Sequence, residues 1–223
     1  MPHFFRRHDM TIGIIGSGAL GSNVARALAK KGVPTILANK RGPDSLAALV
    51  AELGETVTAG TVADAASADI VVLAMPWVAL EDVLGGLPAW NNRIVIDGTN
   101  PVLFLEPGSP EASDPTNPLA AYGIKAVDLG DTHSSAFVAK LVPGARVVKA
   151  FNHLDVNVLP EPEAAGGQRV LFYSGDDADA KAQVRGILET IGFLPIDLGS
   201  LDVGGPLASL PFGALAMHNL VRI

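Results

Sequence analysis

Short, almost wholly apolar runs alternate along the chain with stretches whose apolar residues recur every three or four positions. The runs at 11–15, 33–38, 56–59, 69–74 and 93–97 are too apolar for a sheet with one wet face and predict buried strands. Between them, Leu20, Val24, Ala27 and Leu28 fall on one face of a helix predicted over 19–31, which Gly32 ends. Segments 44–53 and 78–87 also read as helices. Strands that alternate with helices in this way predict an α/β fold with a doubly wound, mostly parallel sheet covered on both faces. Beyond Asn100 the alternation loosens. The proline- and acid-rich stretch 101–118 predicts a surface loop, followed by a helix at 134–141, strands at 145–151 and 168–174, a helix at 177–191 and a last strand at 193–197. The expected organisation is an N-terminal arm (1–9), one domain (10–203) and a small C-terminal extension (204–223). That extension is apolar with few charges, so it has to be buried against this subunit or another.

The first predicted strand runs directly into Gly16-Ser17-Gly18-Ala19-Leu20-Gly21 at the start of the first helix. A bare glycine triplet says little, but between a buried strand and an amphipathic helix each glycine has a task. Gly16 permits the tight turn, Gly18 lets a pyrophosphate approach the backbone, and Gly21 lets the helix pack close to the strand. Free amides and the helix dipole at Ala19 and Leu20 then face the phosphates. This is the Rossmann arrangement for a dinucleotide. A site for NAD would end its second strand with a carboxylate for the ribose hydroxyls, whereas this strand ends Ala38-Asn39-Lys40-Arg41. Two cations there attract a 2'-phosphate, so NADP(H) is the expected cofactor.

Ligands of open parallel sheets bind outside the carboxyl ends of the strands. Ala74, Met75 and Pro76 lie at one such end, and Trp77 offers a flat apolar face to the nicotinamide half or, alternatively, packs under the helix that follows. Asn100, after Asp97-Gly98-Thr99, is a further polar contact expected near the nicotinamide.

Composition narrows the partners. A formal net charge of -7 argues against nucleic acid or an anionic membrane surface, so any phosphate needs a local basic spot. With no cysteine, disulfides and thiolate chemistry are excluded. The longest apolar run, 70–80, is broken by Pro76 and is too short to span a bilayer. The first ten residues lack an apolar h-region and read as a loose arm. No histidine has a partner at metal-ligand spacing, so no metal is expected. Together these predict a cytoplasmic protein that handles a small molecule.

The run from Gly13 to Gly21, followed by Asn39-Lys40-Arg41-Gly42-Pro43, resembles the NADPH-dependent F420 reductase family. So do Leu73-Ala74-Met75-Pro76-Trp77, Leu141-Val142-Pro143-Gly144, Val148-Lys149-Ala150-Phe151-Asn152 and Ser174-Gly175-Asp176-Asp177. Lys40 stands where the family often has serine, and Asn152 where archaeal members commonly carry a histidine, here shifted to His153. The resemblance implies NADP(H) binding, hydride transfer with the deazaflavin F420 or a flavin, and a homodimer whose apolar tails wall the substrate crevice.

Hydride transfer between two stacked rings needs position more than acid-base catalysis, and no triad is visible. Ser134 and Ser135 beside His133 read as a helix start, not as nucleophiles. His133, Asn152 and His153, with Trp77, are the expected contacts of the second substrate. The other reading of the chain is an NADP(H)-binding redox sensor without turnover.

Overall fold

The computed structural model describes residues 10–223, so the predicted arm lies outside the described residues. Five short strands come first: β1 (Ile12–Ile15), β2 (Thr35–Ala38), β3 (Val57–Gly60), β4 (Ile70–Leu73) and β5 (Ile94–Asp97). β1, β4 and β5 are buried along their whole length, as a sheet covered on both faces requires. The helices between them are α1 (Ala19–Ala29), α2 (Ala47–Leu53), α3 (Val62–Ala66) and α4 (Leu80–Leu84). The second half contributes β6 (Val102–Phe104), β7 (Ile124–Ala126), α5 (Ser134–Leu141), β8 (Arg146–Ala150), β9 (Glu163–Ala164), β10 (Gly167–Gly175), α6 (Ala178–Thr190), β11 (Leu194–Asp197), α7 (Leu201–Ala208) and β12 (Val221–Arg222).

The main sheet runs β11-β10-β8-β5-β4-β1-β2-β3. From β8 to β3 every pairing is parallel, and β10 turns the sheet by pairing antiparallel to β8 and parallel to β11. The strand order reverses between β1 and β4, where such sheets open a ligand crevice. Backbone bonds carry the ladder past the strand ends: Gly16 donates to Ala38, Ala74 to Ile15 and Gly98 to Leu73. The loops after β1, β4 and β5 therefore meet along one edge.

Several predicted boundaries move for local reasons. The helix expected at 44–53 opens with a 3-10 turn at Pro43–Leu46, and the one at 78–87 with a 3-10 turn at Trp77–Ala79 before it stops at Gly85. The stretch 101–118 is not wholly loop, because β6 pairs antiparallel with β7 as a separate two-stranded sheet. Strands of three residues, one ending in exposed Phe104, leave no periodicity to read. Two helices went unanticipated. α3 is set by a reciprocal cap between Thr61 and Asp64. α7 contains Gly204, Gly205 and Pro206, residues that read as loop. Gly204 is needed for packing, since a Cβ there would stand 2.6 Å from those of Leu198 and Ser174.

The C-terminal extension packs partly on its own subunit. α7 lies against β10, β12 pairs antiparallel with β10, and Ala208 and Leu215 join Val170 and Phe172 in a small cluster. Leu207, Phe212, Met217, Leu220 and Ile223 stay exposed.

At the β5–β8 seam, Asp97 and Lys149 are direct register partners and meet at 2.9 Å, both fully buried. Asp97 also accepts from the amide and hydroxyl of Thr99 and from Ser135, while Lys149 donates to the carbonyl of Thr99. Removing one partner of such a pair leaves a buried charge uncompensated. Lys149→Met is expected to lose about 3–5 kcal/mol of stability in urea unfolding, and Asp97→Asn with Lys149→Met to lose less than Lys149→Met alone.

Candidate active site

The glycine loop is built as its sequence requires. Gly16 adopts φ +118, and a Cβ there would lie 2.1 Å from the carbonyl oxygen of Ala74. A Cβ on Gly21 would stand 1.8 Å from the carbonyl oxygen of Gly16, so α1 can start against β1 only without one. Gly18 differs, because a Cβ there meets nothing within 4 Å and points into open space. No side chain caps α1 and no acidic residue occupies its first turn, so its first amides are free for an anion. Gly18 and Ala19 are exposed, and Ser17 and Leu20 are half-buried beside them. This cradle fits the pyrophosphate of a dinucleotide.

At the end of β2, Asn39 acts as an organiser. Its amide donates to Ser17 Oγ at 2.9 Å and to Ser45 Oγ at 3.0 Å, and its Oδ1 accepts the Arg41 amide at 2.8 Å. Asn39 thereby ties the glycine loop to the turn that carries the cations. Lys40 is exposed and paired with Asp82 of α4. The Arg41 side chain is exposed and has no hydrogen-bond partner among the described residues.

Along the same edge, Ala74 is buried, Met75 half-buried and Pro76 exposed. Trp77 does not face the crevice: it is buried and packs on Phe137 of α5, ring centroids 5.1 Å apart. Trp77 is thus a core residue, though its ring partner is on α5 and not on the helix that directly follows it. Asn100 is a junction between three segments. Its amide donates to the Asn152 carbonyl at 2.8 Å, and its Oδ1 accepts from the Leu210 amide at 2.9 Å and from Asn152 Nδ2 at 3.1 Å.

Beyond Asn100 opens a crevice of about 670 Å³, lined by His133, Ser134, Asp131 and Asp202 together with Leu210 and Phe212 of the C-terminal segment. His133 lines it as expected and caps α5, its Nδ1 accepting the Ala136 amide at 3.2 Å. Ser134 is reached by Lys149 Nζ at 3.4 Å and lies 3.4 Å from Ser209 Oγ, so the ion pair beneath connects to the crevice floor.

Asn152 and His153 stand elsewhere than the sequence suggested. Phe151, at φ +68, turns the chain after β8 and buries both. Asn152 donates to Asn100 and to the Ala208 carbonyl, holding β8 to α7, and its Oδ1 has no partner. His153 is sealed under β10, its Nε2 accepting the Phe172 amide at 2.9 Å. Burial pushes its ring down to about 4, so it is neutral at pH 7 and serves the core. The sequence did not single out the Asp97–Lys149 pair, whose register across two non-consecutive strands leaves no local signal. Among the described residues no group of three His, Asp or Glu could hold a metal ion, and no helix is long and apolar enough to cross a membrane.

Fold and site together define a Rossmann dinucleotide-binding protein with a second crevice beyond Asn100. Residues 11–101 match the model of the family described as NADP oxidoreductase coenzyme F420-dependent. A hypothetical protein of Sinorhizobium meliloti is 37% identical, with 96% of both chains covered and a TM-score of 0.82. A proposed F420-dependent NADP reductase of Arthrobacter sp. FB24 is 26% identical over 86% of both chains, with a TM-score of 0.66. The metalloreductase STEAP3 of Rattus norvegicus is 26% identical over 92% of this chain, which spans 37% of that relative's length. Over residues 11–101 the chain matches the coenzyme F420-dependent NADP oxidoreductase family, and it is an NADP-dependent oxidoreductase.

Gly18→Val tests the cradle. With φ -71 and open space around the Cβ, the backbone tolerates the change, and stability is expected to shift by no more than about 0.5 kcal/mol. The branched side chain would fill the pyrophosphate position, so calorimetric titration with NADPH should show no binding. Native affinity in the folded variant would place the phosphates elsewhere.

Proposed function

We propose that the chain transfers hydride between NADP(H) and a planar acceptor, the deazaflavin F420 or a flavin, seated in the crevice beside His133. The observation that supports this is one continuous strand-end edge with a free helix start at one end and a crevice large enough for a second ring system at the other. A protein that only sensed the dinucleotide would have no use for that second space. Bound NADPH would supply a hydride to the acceptor ring, with solvent supplying the further proton that a reduced flavin or deazaflavin requires. The α1 amides and Ser17 hold the pyrophosphate, Asn39 sets the turn, and Arg41 takes the 2'-phosphate because Lys40 is already engaged by Asp82. The loop Ala74–Pro76 backs the nicotinamide, and the side chain of Asn100, fixed on both sides, sets where the crevice begins.

NADPH should then bind about tenfold or more tightly than NADH, since a charge-assisted bond contributes on the order of 1.5–3 kcal/mol. Fluorescence titration of both cofactors checks this. Arg41→Ala should lose most of the difference while leaving NADH affinity nearly unchanged, and equal affinities in the native protein would refute the assignment. Turnover is read as loss of the NADPH absorbance band on addition of oxidised F420 or FMN.

The same reading places the protein in the cytoplasm as a homodimer. The apolar side chains left exposed on the C-terminal segment support the dimer: Leu207, Phe212, Met217, Leu220 and Ile223 would each gain from burial, Ile223 by up to roughly 1.5–3 kcal/mol and the partly covered leucines by less. Light scattering should report a dimer, and removal of residues after Pro206 should weaken both dimerisation and acceptor reduction. A monomeric native protein would refute the dimer.

A further inference from the structure

The two ends of the strand-end edge carry opposite charge. Beside the start of α1 stand Lys40 and Arg41, with no acidic residue in the helix's first turn. The crevice at the other end is lined by two carboxylates, Asp131 and Asp202, and by no lysine or arginine. Asp202 sits in the first turn of α7, where the Ser200 hydroxyl donates to it. That bond, with a smaller contribution from nearby His133, holds its carboxyl below the usual range. Asp131 is exposed on the turn before α5.

The nearest cations stand outside the crevice lining. Lys149, under the floor, is paired with Asp97. Lys125 is exposed and lines the adjoining depression beside Asp114, outside the lining of the crevice. The His133 Nδ1 accepts the Ala136 amide, which leaves Nε2 as the ring nitrogen open to a ligand. Leu129, Leu210, Pro211 and Phe212 give the wall its apolar part, and Thr132, Ser134 and Ser209 add uncharged polar groups.

We infer that this crevice takes a planar acceptor without negative charge, a bare or cationic ring, and discriminates against phosphate-bearing forms of the same ring. The inference rests on the crevice being the acceptor site of the proposed reaction. Low-dielectric walls lined with one sign of charge focus the field and change local ligand concentration by about tenfold or more. A phosphate here would meet two carboxylates and no guanidinium fork, the reverse of the arrangement that Arg41 offers at the cofactor end.

Riboflavin and FMN share one ring and differ by a phosphate, and 10-methylacridinium is a cationic planar hydride acceptor. For riboflavin, hydride from C4 of NADPH forms the N5–H bond and solvent supplies the proton at N1. For the acridinium, hydride forms the C9–H bond and the product is neutral, with no proton required.

Binding is measured first, by flavin fluorescence with the NADP⁺-loaded protein, so the result does not depend on turnover. Riboflavin should bind about tenfold or more tightly than FMN at low ionic strength, and the gap should narrow in high salt. Combining Asp131→Asn with Asp202→Asn, both at exposed positions, should narrow the gap in the same way. Equal or tighter FMN binding, a gap untouched by the two substitutions, or no binding of either flavin would overturn the inference. NADPH oxidation with riboflavin and 10-methylacridinium is read separately. If binding is selective and neither acceptor oxidises NADPH, the charge preference stands and the hydride-transfer reading falls.

Discussion

The buried ion pair between Asp97 and Lys149 joins the parts of the molecule that form the site. It lies where the parallel sheet passes from its first half into the segment after residue 100, on strands that are neighbours in space and far apart in sequence. Two full charges can be buried there only because each has further partners: Thr99 and Ser135 for the carboxylate, Thr99 and Ser134 for the ammonium. Those partners belong to the loop after β5 and the start of α5, and Ser134 reaches Ser209 beyond α7. One electrostatic contact thus sets the positions of the strand end, the helix start and the C-terminal segment that surround the crevice.

The neighbouring amide network performs the same task with neutral groups. Asn100 and Asn152 bond to each other and to the backbone of Leu210 and Ala208. Such bonds are worth about a kilocalorie each, but a buried amide left unmade costs more, so the network specifies geometry more than it adds stability. The C-terminal segment is therefore held to the crevice from within its own subunit, whatever a second subunit contributes.

At the cofactor end the determinants are steric and local. α1 begins against β1 because Gly21 has no Cβ, and its first amides remain open because nothing caps them. Asn39 then links the loop to the turn bearing Lys40 and Arg41. The crevice is assembled from segments distant in sequence and carries carboxylates. An acidic protein thus sets two cations beside the open helix start and none in the lining of the crevice.

The sequence by itself determined the strand–helix alternation, the glycine cradle and the basic turn after β2, because each depends on residues within a few positions of one another. Periodicity also located α5, α6, β8, β10 and β11 to within two residues at each end. The structure decided what depends on pairings between distant segments. Trp77 could have faced a ligand or the core, and Phe137, sixty residues later, settled it for the core. His153 reads as a surface ligand until β10 closes over it, and a left-handed Phe151 buries Asn152. α7 was hidden because its glycines and proline signal a loop locally, while close approach to β10 requires one of those glycines. The Asp97–Lys149 register joins strands that only the folded sheet makes neighbours. A pairing of that kind is a property of topology, and no local sequence pattern records it.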